Sequence, residues 1–222
     1  MRFTVVIPAR YGSSRFPGKP LVEIAGRPMI QHVIEAAKKS YAREVIVATD
    51  DWRVAQAAIG ADTVLMTSPE NRTGTDRVAE AARARPGEEI FVNVQGDCPL
   101  MPPGAINHVA NMLHLRGNDM ATLCTDLDPA DVTDTSVVKV LPPSTFTRAP
   151  VSELRHIGIY AYTRAALAKF AAAPQSENEL REGLEQLRAV DIGLDVGCYY
   201  FSDTGPEVNH PSDIDRVLRA LA

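Results

Sequence analysis

One stretch near the N-terminus constrains the fold of this chain more than any other. Residues 3–7 form an apolar, β-branched run, FTVVI, which Pro8 stops. Such a run is typical of a strand that is buried on both faces of a parallel sheet. A loop rich in glycine and cations follows it directly. Because ligands of open α/β sheets lie beyond the carboxyl ends of the strands, the stretch predicts an α/β fold whose first loop binds a ligand.

This loop has the composition of a polyphosphate site. Gly12 and Gly18 let the backbone approach an anion, while Arg10, Arg15 and Lys19 offset its charge. A solvated basic loop is the alternative, but the position after a first strand favours phosphate binding. The chain contains neither G-x-x-x-x-G-K-[ST] nor G-x-G-x-x-G, so the loop belongs to neither of the common nucleotide-binding types.

The order of apolar segments predicts the fold class. Strand patterns alternate with helical patterns, with strands expected at 3–7, 44–49, 61–66 and 89–94 and helices at 31–40, 52–59, 76–84 and 105–115. This β-α-β-α-β order predicts a Rossmann-like, doubly wound and mostly parallel sheet. Farther along, strands are expected at 120–125, 137–141, 155–162 and 199–201, and helices at 165–173, 178–189 and 212–221.

Composition limits the classes of partner. The formal net charge is −5, so no nucleic-acid surface is expected. Three cysteines, at positions 98, 124 and 198, are odd in number and lack metal-type spacing, which is typical of the reducing cytoplasm. No apolar run is long enough to span a bilayer, and residues 1–8 have the pattern of a strand rather than of a signal peptide. We therefore expect a cytoplasmic protein without a membrane partner.

Several segments resemble one family of sugar-activating enzymes. PARYGSSRFPGKPL (8–21), TGTDR (73–77), VQGD (94–97), RHIGIYAY (155–162) and LEQLR (184–188) resemble, in order, motifs of the CMP-Kdo synthetase family, where Kdo is 3-deoxy-manno-octulosonate. The resemblance implies a nucleotide-diphospho-sugar transferase type of fold with a small acceptor-side lobe. It implies one domain, in which residues 1–118 bind the nucleotide and residues 119–222 bind the acceptor.

The resemblance assigns the first half of the chain to CTP. It implies that the first loop wraps the triphosphate and that the segment 73–77 contacts cytosine, although a turn before a helix explains that segment equally well. The expected nucleotide contacts are Ala9, Arg10, Gly12, Ser13, Ser14, Arg15, Lys19, Thr73, Gly74, Thr75, Arg77 and Gln95. Arg10, Arg15 and Lys19 are also expected to act in catalysis, with Asp97, by balancing charge on the leaving pyrophosphate.

A metal site is expected at the end of the fourth predicted strand. Asp97 lies on a glycine-containing turn, where a carboxylate can hold Mg²⁺ against phosphate; helix capping is the alternative. The family reads V-Q-G-D-E-P here, and Cys98 replaces the glutamate. In the tail the family reads V-D-T-P, and Asn209 replaces the aspartate that is the second metal ligand there. An amide oxygen still coordinates Mg²⁺, so the resemblance implies a magnesium site at Asp97 and Asn209.

The second half is expected to bind an acidic acceptor. By resemblance the acceptor contacts are Arg148, Arg155, His156, Tyr160, Glu185 and Gln186. A structural histidine is the alternative for His156, and a solvated helix face is the alternative for Glu185 and Gln186. Between Pro150 and Arg155 the chain is shorter than the family pattern. This trimming, with cations at Arg148, Arg155 and His156, favours a small, highly charged acceptor.

Together these observations predict a Mg²⁺-dependent cytidylyltransferase. It would transfer CMP from CTP to a small acidic acceptor, such as the phosphonate phosphonoformate, and release pyrophosphate. Kdo is the alternative acceptor, and a non-catalytic CTP-binding module is the alternative from another class. The resemblance also implies a homodimer.

Overall fold

The computed structural model describes residues 1–12, 16–141, 145–202 and 204–221. Within them lie eleven strands and eight α-helices. The strands are β1 (Thr4–Pro8), β2 (Glu23–Ile24), β3 (Arg27–Pro28), β4 (Glu44–Thr49), β5 (Thr63–Met66), β6 (Ile90–Val94), β7 (Met120–Asp126), β8 (Lys139–Leu141), β9 (Thr145–Thr147), β10 (Leu154–Thr163) and β11 (Val196–Tyr200). The helices are α1 (Met29–Lys38), α2 (Trp52–Ala57), α3 (Gly74–Arg83), α4 (Pro103–Arg116), α5 (Arg164–Ala172), α6 (Glu177–Glu182), α7 (Gln186–Asp191) and α8 (Ile214–Leu221).

The predicted fold class is confirmed. The central sheet has the strand order β11-β7-β10-β6-β1-β4-β5, with β8 and β9 attached beside β10. β1 pairs in parallel with β4 and β6, β4 pairs in parallel with β5, and β7 pairs in parallel with β11. β10 runs antiparallel to both β6 and β7. The sheet is therefore mostly parallel, and one reversed strand joins its two halves.

The apolar side chains of the sheet pack on both of its faces. Val5 and Ile7 of β1 belong to one buried cluster, which α1 and α4 cover, while Val6 belongs to a second cluster beneath α3 and α5. Successive side chains of a strand point to opposite faces. Since both faces are covered, the run FTVVI is continuously apolar rather than alternating.

The structure corrects the prediction for residues 178–189. One helix was expected, but Gly183 adopts a left-handed conformation (φ 65°) and separates α6 from α7. Glycine tolerates this conformation without steric cost, which explains the break. Leu184 and Leu187 are buried as predicted, whereas Leu180, expected to face inward, is 63% exposed. Strand β9 was not predicted at all.

The N-terminal half of β10 contains an irregularity that matters for the site. Its register against β7 shifts between Ile157 and Tyr160. Gly158 lies within this shift, and an added Cβ at Gly158 would be 3.8 Å from Oε1 of Glu207. The side chain of Glu207 therefore lies beside the irregular part of β10. Separately, none of the helices in the described ranges is long and apolar enough to cross a membrane.

Candidate active site

A cavity of about 170 Å³ opens at the carboxyl ends of β1 and β6. Its walls contain seven of the twelve predicted nucleotide contacts, together with Asp97. They are Ala9, Arg10, Lys19, Thr73, Gly74, Arg77 and Gln95. Gly12 and Thr75 are described but do not line the cavity, and Ser13, Ser14 and Arg15 lie outside the described residues. The structure thus brings the first loop and the segment 73–77 to one place.

The floor of this cavity is backbone packed at close range. An added Cβ at Gly96 would lie 3.0 Å from the carbonyl oxygen of Pro8, and one at Gly74 would lie 3.2 Å from Oε1 of Gln95. Both distances are tighter than nine in ten real Cβ contacts, so a larger residue would displace the backbone of Pro8 or the side chain of Gln95 by a few tenths of an ångström. The two glycines therefore let β1, β6 and the start of α3 converge.

Lys19 ties the first loop to the end of β6. Its Nζ donates to Oδ2 of Asp97 at 2.7 Å and to the carbonyl oxygen of Val208 at 3.0 Å. Its side chain is 14% exposed, and that of Asp97 is 29% exposed. A cation and a carboxylate thus stand together at the mouth of the cavity, where a triphosphate would need both charge balance and a metal.

The segment 73–77 combines helix capping with a position in the cavity wall. Oγ1 of Thr73 accepts from the backbone N–H of Asp76 at 3.2 Å, and Oδ2 of Asp76 accepts from the N–H of Thr73 at 3.0 Å. This reciprocal capping box is the helix start that was left open as an alternative. Arg77 is 2% exposed and forms an ion pair with Asp50 at 2.8 Å. Its guanidinium is therefore held beneath the cavity wall.

A second cavity, of about 440 Å³, adjoins the first and shares Gln95 and Asp97 with it. All six predicted acceptor contacts line it. They are Arg148, Arg155, His156, Tyr160, Glu185 and Gln186. The structure also places Glu207 and Asn209 in its wall. Transfer of a group from one substrate to another requires two adjacent binding sites, and these two cavities share lining residues.

Glu185 connects the two cavities. Its carboxylate accepts from the backbone N–H of Thr75 at 3.1 Å and from Nε2 of Gln95 at 3.1 Å. Burial raises the pKa of Glu185. The neighbouring Gln186 is 2% exposed. The alternative of a solvated helix face is therefore wrong for this segment.

His156 is neutral, which corrects its expected role as a cation. Burial, followed by the charge of Arg155, lowers the pKa of His156 to about 3. Its Nε2 lies 2.8 Å from Oγ1 of Thr122, and its ring packs between Phe146 and Tyr160. The structural explanation that was left open thus accounts for this histidine, although its side chain also faces the larger cavity.

Two arginines supply positive charge to the larger cavity. Nε of Arg148 donates to the carbonyl oxygen of Glu182 at 3.0 Å, and its Nη1 donates to that of Thr135 at 2.8 Å. Nη2 of Arg155 donates to Oγ1 of Thr204 at 2.9 Å. Neither guanidinium forms an ion pair with a described residue, so both keep their charge available to an anion in the cavity.

Three residues with oxygen donors, Asp97, Glu207 and Asn209, line the larger cavity, and Asp97 also lines the smaller one. Carboxylate and amide oxygens suit a hard divalent cation. Within the described ranges no group of three His, Cys, Asp or Glu side chains is arranged around a single metal position. Burial raises the pKa of the Cys98 thiol, so this residue does not replace the missing carboxylate as an anion.

Glu207 is the residue of this site that sequence reasoning missed. Burial, followed by the charge of Asp97, raises the pKa of Glu207. The available signal was its spacing, since Glu207 and Asn209 are separated by one residue and side chains alternate along an extended chain. Arg188 and Asp76, which position the segment 73–77, were also missed.

The chain is similar to known proteins over most of its length. Residues 4–196 match the cytidylyltransferase family. The chain is 41% identical to a 3-deoxy-manno-octulosonate cytidylyltransferase of Anaeromyxobacter sp. (strain Fw109-5), over 100% of this chain and 97% of the relative. It is 44% identical to the enzyme of that name from Pseudomonas syringae pv. tomato, over 99% of this chain and 98% of the relative.

A solved structure shares the whole fold. It is that of CMP:2-keto-3-deoxy-manno-octonic acid synthetase complexed with CTP, with a TM-score of 0.92 and 37% identity, covering 100% of this chain and 98% of that one. A cytidylyltransferase from Leptospira borgpetersenii, at 17% identity and a TM-score of 0.68, shows the same fold. The fold and the two adjoining cavities define a nucleotide-dependent transferase of the α/β class.

The chain belongs to the cytidylyltransferase family. It is an enzyme, a CTP nucleotidyltransferase, which sets aside the alternative of a non-catalytic CTP-binding module.

Proposed function

We propose that this enzyme transfers CMP from CTP to Kdo and releases pyrophosphate. The observation that carries the proposal is the 440 Å³ cavity beside the nucleotide cavity, in a chain similar over its whole length to enzymes named for Kdo. This volume falls in the range of about 300–1,000 Å³ that is common for small-molecule sites. An eight-carbon sugar acid is a ligand of suitable size.

The chemistry of the larger cavity favours a sugar acid over a phosphonate. Arg148 and Arg155 suit one carboxylate, while neutral His156 offers no further cation. The carboxyl groups of Glu185 and Glu207 line the same cavity and can form hydrogen bonds with the hydroxyl groups of a sugar. The two similar sequences and the CTP-complexed structure described above are named for Kdo, and none of these three names supports the phosphonate acceptor predicted from the trimmed segment.

The mechanism is an in-line displacement at the α-phosphorus of CTP. The anomeric hydroxyl oxygen of Kdo gives up its proton to solvent and forms a bond to that phosphorus, and the bond to the bridging oxygen of the β-phosphate breaks, so pyrophosphate leaves. Arg10 and Lys19 offset the charge that develops on the leaving group. The residues around the two cavities hold both substrates in the attacking geometry.

We further propose that Asp97 and the amide oxygen of Asn209 hold Mg²⁺ at the common wall. When bound there, the ion would neutralise charge on the phosphate oxygens. We also keep the homodimer expected from the resemblance as a proposal. Light scattering during size-exclusion chromatography measures the mass of the particle in solution, and a monomer at all protein concentrations would contradict the homodimer.

Pyrophosphate release tests the acceptor directly. The enzyme is incubated with CTP and Mg²⁺ and with either Kdo or phosphonoformate, and the nucleotide product is identified by mass. We expect release and CMP-Kdo with Kdo, and background release with phosphonoformate. Release with phosphonoformate alone would overturn the proposal and restore the phosphonate acceptor.

A further inference from the structure

We propose that Glu207 supplies the second carboxylate of a divalent-metal site whose first carboxylate is Asp97. The inference rests on the proposed metal-dependent transfer and deepens it. Glu207 would supply the negative charge that the neutral side chain of Asn209 does not provide.

The backbone near residue 208 is fixed against Asp97. The N–H of Val208 donates to the carbonyl oxygen of Asp97 at 2.9 Å, and the carbonyl oxygen of Val208 accepts from Nζ of Lys19 at 3.0 Å. Val208 itself is fully buried. Its neighbours Glu207 and Asn209 both line the larger cavity, as Asp97 does. The alternation of side chains thus turns residues 207 and 209 toward the same cavity.

Glu207 lacks a cation of its own. None of the described Lys, Arg or His nitrogens forms an ion pair with its carboxylate within 4.0 Å; the charges of Arg155 and Lys19 act on it from a longer distance, and the backbone N–H of Gly158 donates to it. Buried carboxylates are normally paired with a cation or coordinate a metal. A divalent cation between Asp97 and Glu207 would satisfy this requirement and remove the repulsion between the two acids.

Asp97 keeps one oxygen for such an ion. Lys19 is bonded to Oδ2, whereas Oδ1 has a long contact of 3.7 Å with Sγ of Cys98. Carboxylate, amide and carbonyl oxygens are the ligands that Mg²⁺ prefers. The oxygens of Asp97, Glu207 and Asn209 are therefore suitable ligands for Mg²⁺. With Glu207 the site has two carboxylates, whereas Asp97 and Asn209 alone provide one.

A second observation marks the same cavity as a ligand site. Nε2 of Gln186 is buried and has no hydrogen-bond partner among the described residues, although Oε1 accepts from the hydroxyl of Tyr160 at 3.3 Å. Leaving a buried donor unpaired costs the full desolvation of that group, so such a group is expected to meet a ligand. Gln186 and Glu207 line the cavity together, which places acceptor and metal in one compartment.

The test measures metal binding rather than turnover. Mn²⁺ is titrated into the full-length enzyme with CTP present and no acceptor, and free Mn²⁺ is read by electron paramagnetic resonance. We expect Glu207→Gln to weaken Mn²⁺ binding by about tenfold or more. Glutamine keeps the acceptor for the N–H of Gly158, so the fold should persist, which thermal unfolding checks.

Two further variants sharpen this result. Glu89→Gln is the matched control, because Glu89 is 79% exposed at the opposite end of β6, and it should leave Mn²⁺ affinity unchanged. The double variant Glu207→Gln/Asn209→Asp returns a carboxylate to the same wall and should recover most of the lost affinity. Recovery would identify the missing charge, rather than a damaged fold, as the cause.

The outcomes separate the inference from the proposed function. Wild-type Mn²⁺ affinity in Glu207→Gln would overturn the inference, while pyrophosphate release with Kdo by the parent enzyme would still support the function. Failure of the double variant to recover any affinity would also count against Glu207 as a ligand. A parent enzyme that neither binds Mn²⁺ with CTP nor releases pyrophosphate would overturn both.

Discussion

Arg188 and Asp76 are 112 residues apart in the chain and form a buried ion pair, with 2.8 Å between Nη1 and Oδ1. Arg188 is 1% exposed and also pairs with Glu179 at 2.6 Å. Asp76 in turn caps the backbone of Thr73, which lines the nucleotide cavity. One guanidinium therefore links α6 and α7 to the start of α3.

Replacing this guanidinium should destabilise the enzyme strongly. In Arg188→Met the carboxylates of Asp76 and Glu179 lose their common cation while they stay buried. Breaking a buried pair in this way costs about 3–5 kcal/mol. Urea denaturation measures the free energy of unfolding. Arg181→Ala is the control, since Arg181 is 67% exposed and should change that free energy by less than about 0.5 kcal/mol. Equal effects of the two substitutions would refute the structural role.

Asp97→Asn should reduce turnover much more than stability. The substitution keeps the shape of the side chain but removes the carboxylate charge that pairs with Lys19. The same charge is the one that we propose binds the metal ion. We expect the rate of pyrophosphate release to fall roughly hundredfold or more. Asp195→Asn, at an exposed position before the amino end of β11, provides the matched control. A rate near that of the parent enzyme would show that the metal assignment is wrong.

Lys19→Ala should weaken the binding of CTP. Lys19 lies at the mouth of the nucleotide cavity, and hydrogen bonds to charged groups contribute about 1.5–3 kcal/mol, so affinity should fall roughly tenfold or more. Calorimetric titration with CTP measures this change. Lys38→Ala removes a lysine whose ion pair with Asp62 lies on the surface, and it should bind CTP normally. Unchanged affinity in Lys19→Ala would exclude the first loop as the phosphate site.

His156 should make stability depend on pH in the acid range. Burial lowers its pKa from 6.5 to about 3, so between these values the unfolded chain binds a proton that the folded protein does not. This proton favours the unfolded chain. The free energy of unfolding is therefore unaffected by His156 above about pH 6.5 and falls by about 1.4 kcal/mol per pH unit as the pH drops toward 3.

Unfolding of His156→Gln by urea at several pH values checks this sign. The variant lacks the titrating imidazole. Its free energy of unfolding should therefore fall less steeply with decreasing pH than that of the parent enzyme below pH 6.5. His114→Gln, at an exposed position, should follow the parent curve. A variant whose slope matches that of the parent enzyme would mean that His156 titrates normally.

The parts of the structure that could be predicted are those in which neighbouring residues carry the signal. The apolar run of β1 and the cationic loop after it predict the parallel sheet and the nucleotide cavity without reference to distant residues. The break at Gly183 was missed because leucines at helical spacing dominate the pattern there, whereas backbone conformation decides the outcome.

The remaining features depend on contacts across the fold. The pairing of Arg188 with Asp76 needs the two halves to be docked, and neither residue has a distinctive local pattern. The neutral state of His156 follows from burial beside Thr122, which a single strand does not reveal. Glu207 joins the site because the neighbouring Val208 contacts the backbone of Asp97, a contact between distant parts of the chain.

The hydrogen bonds of Glu185 have a consequence for the order of events on this enzyme. A molecule that moves this carboxylate from the acceptor side also moves the N–H of Thr75 and the amide of Gln95 on the nucleotide side. Any such coupling between two binding sites is reciprocal, because each ligand must change the affinity of the other by the same factor. If binding of either substrate shifts Glu185, the two substrates would act as each other's effectors, and each would bind with a different affinity once the other is present.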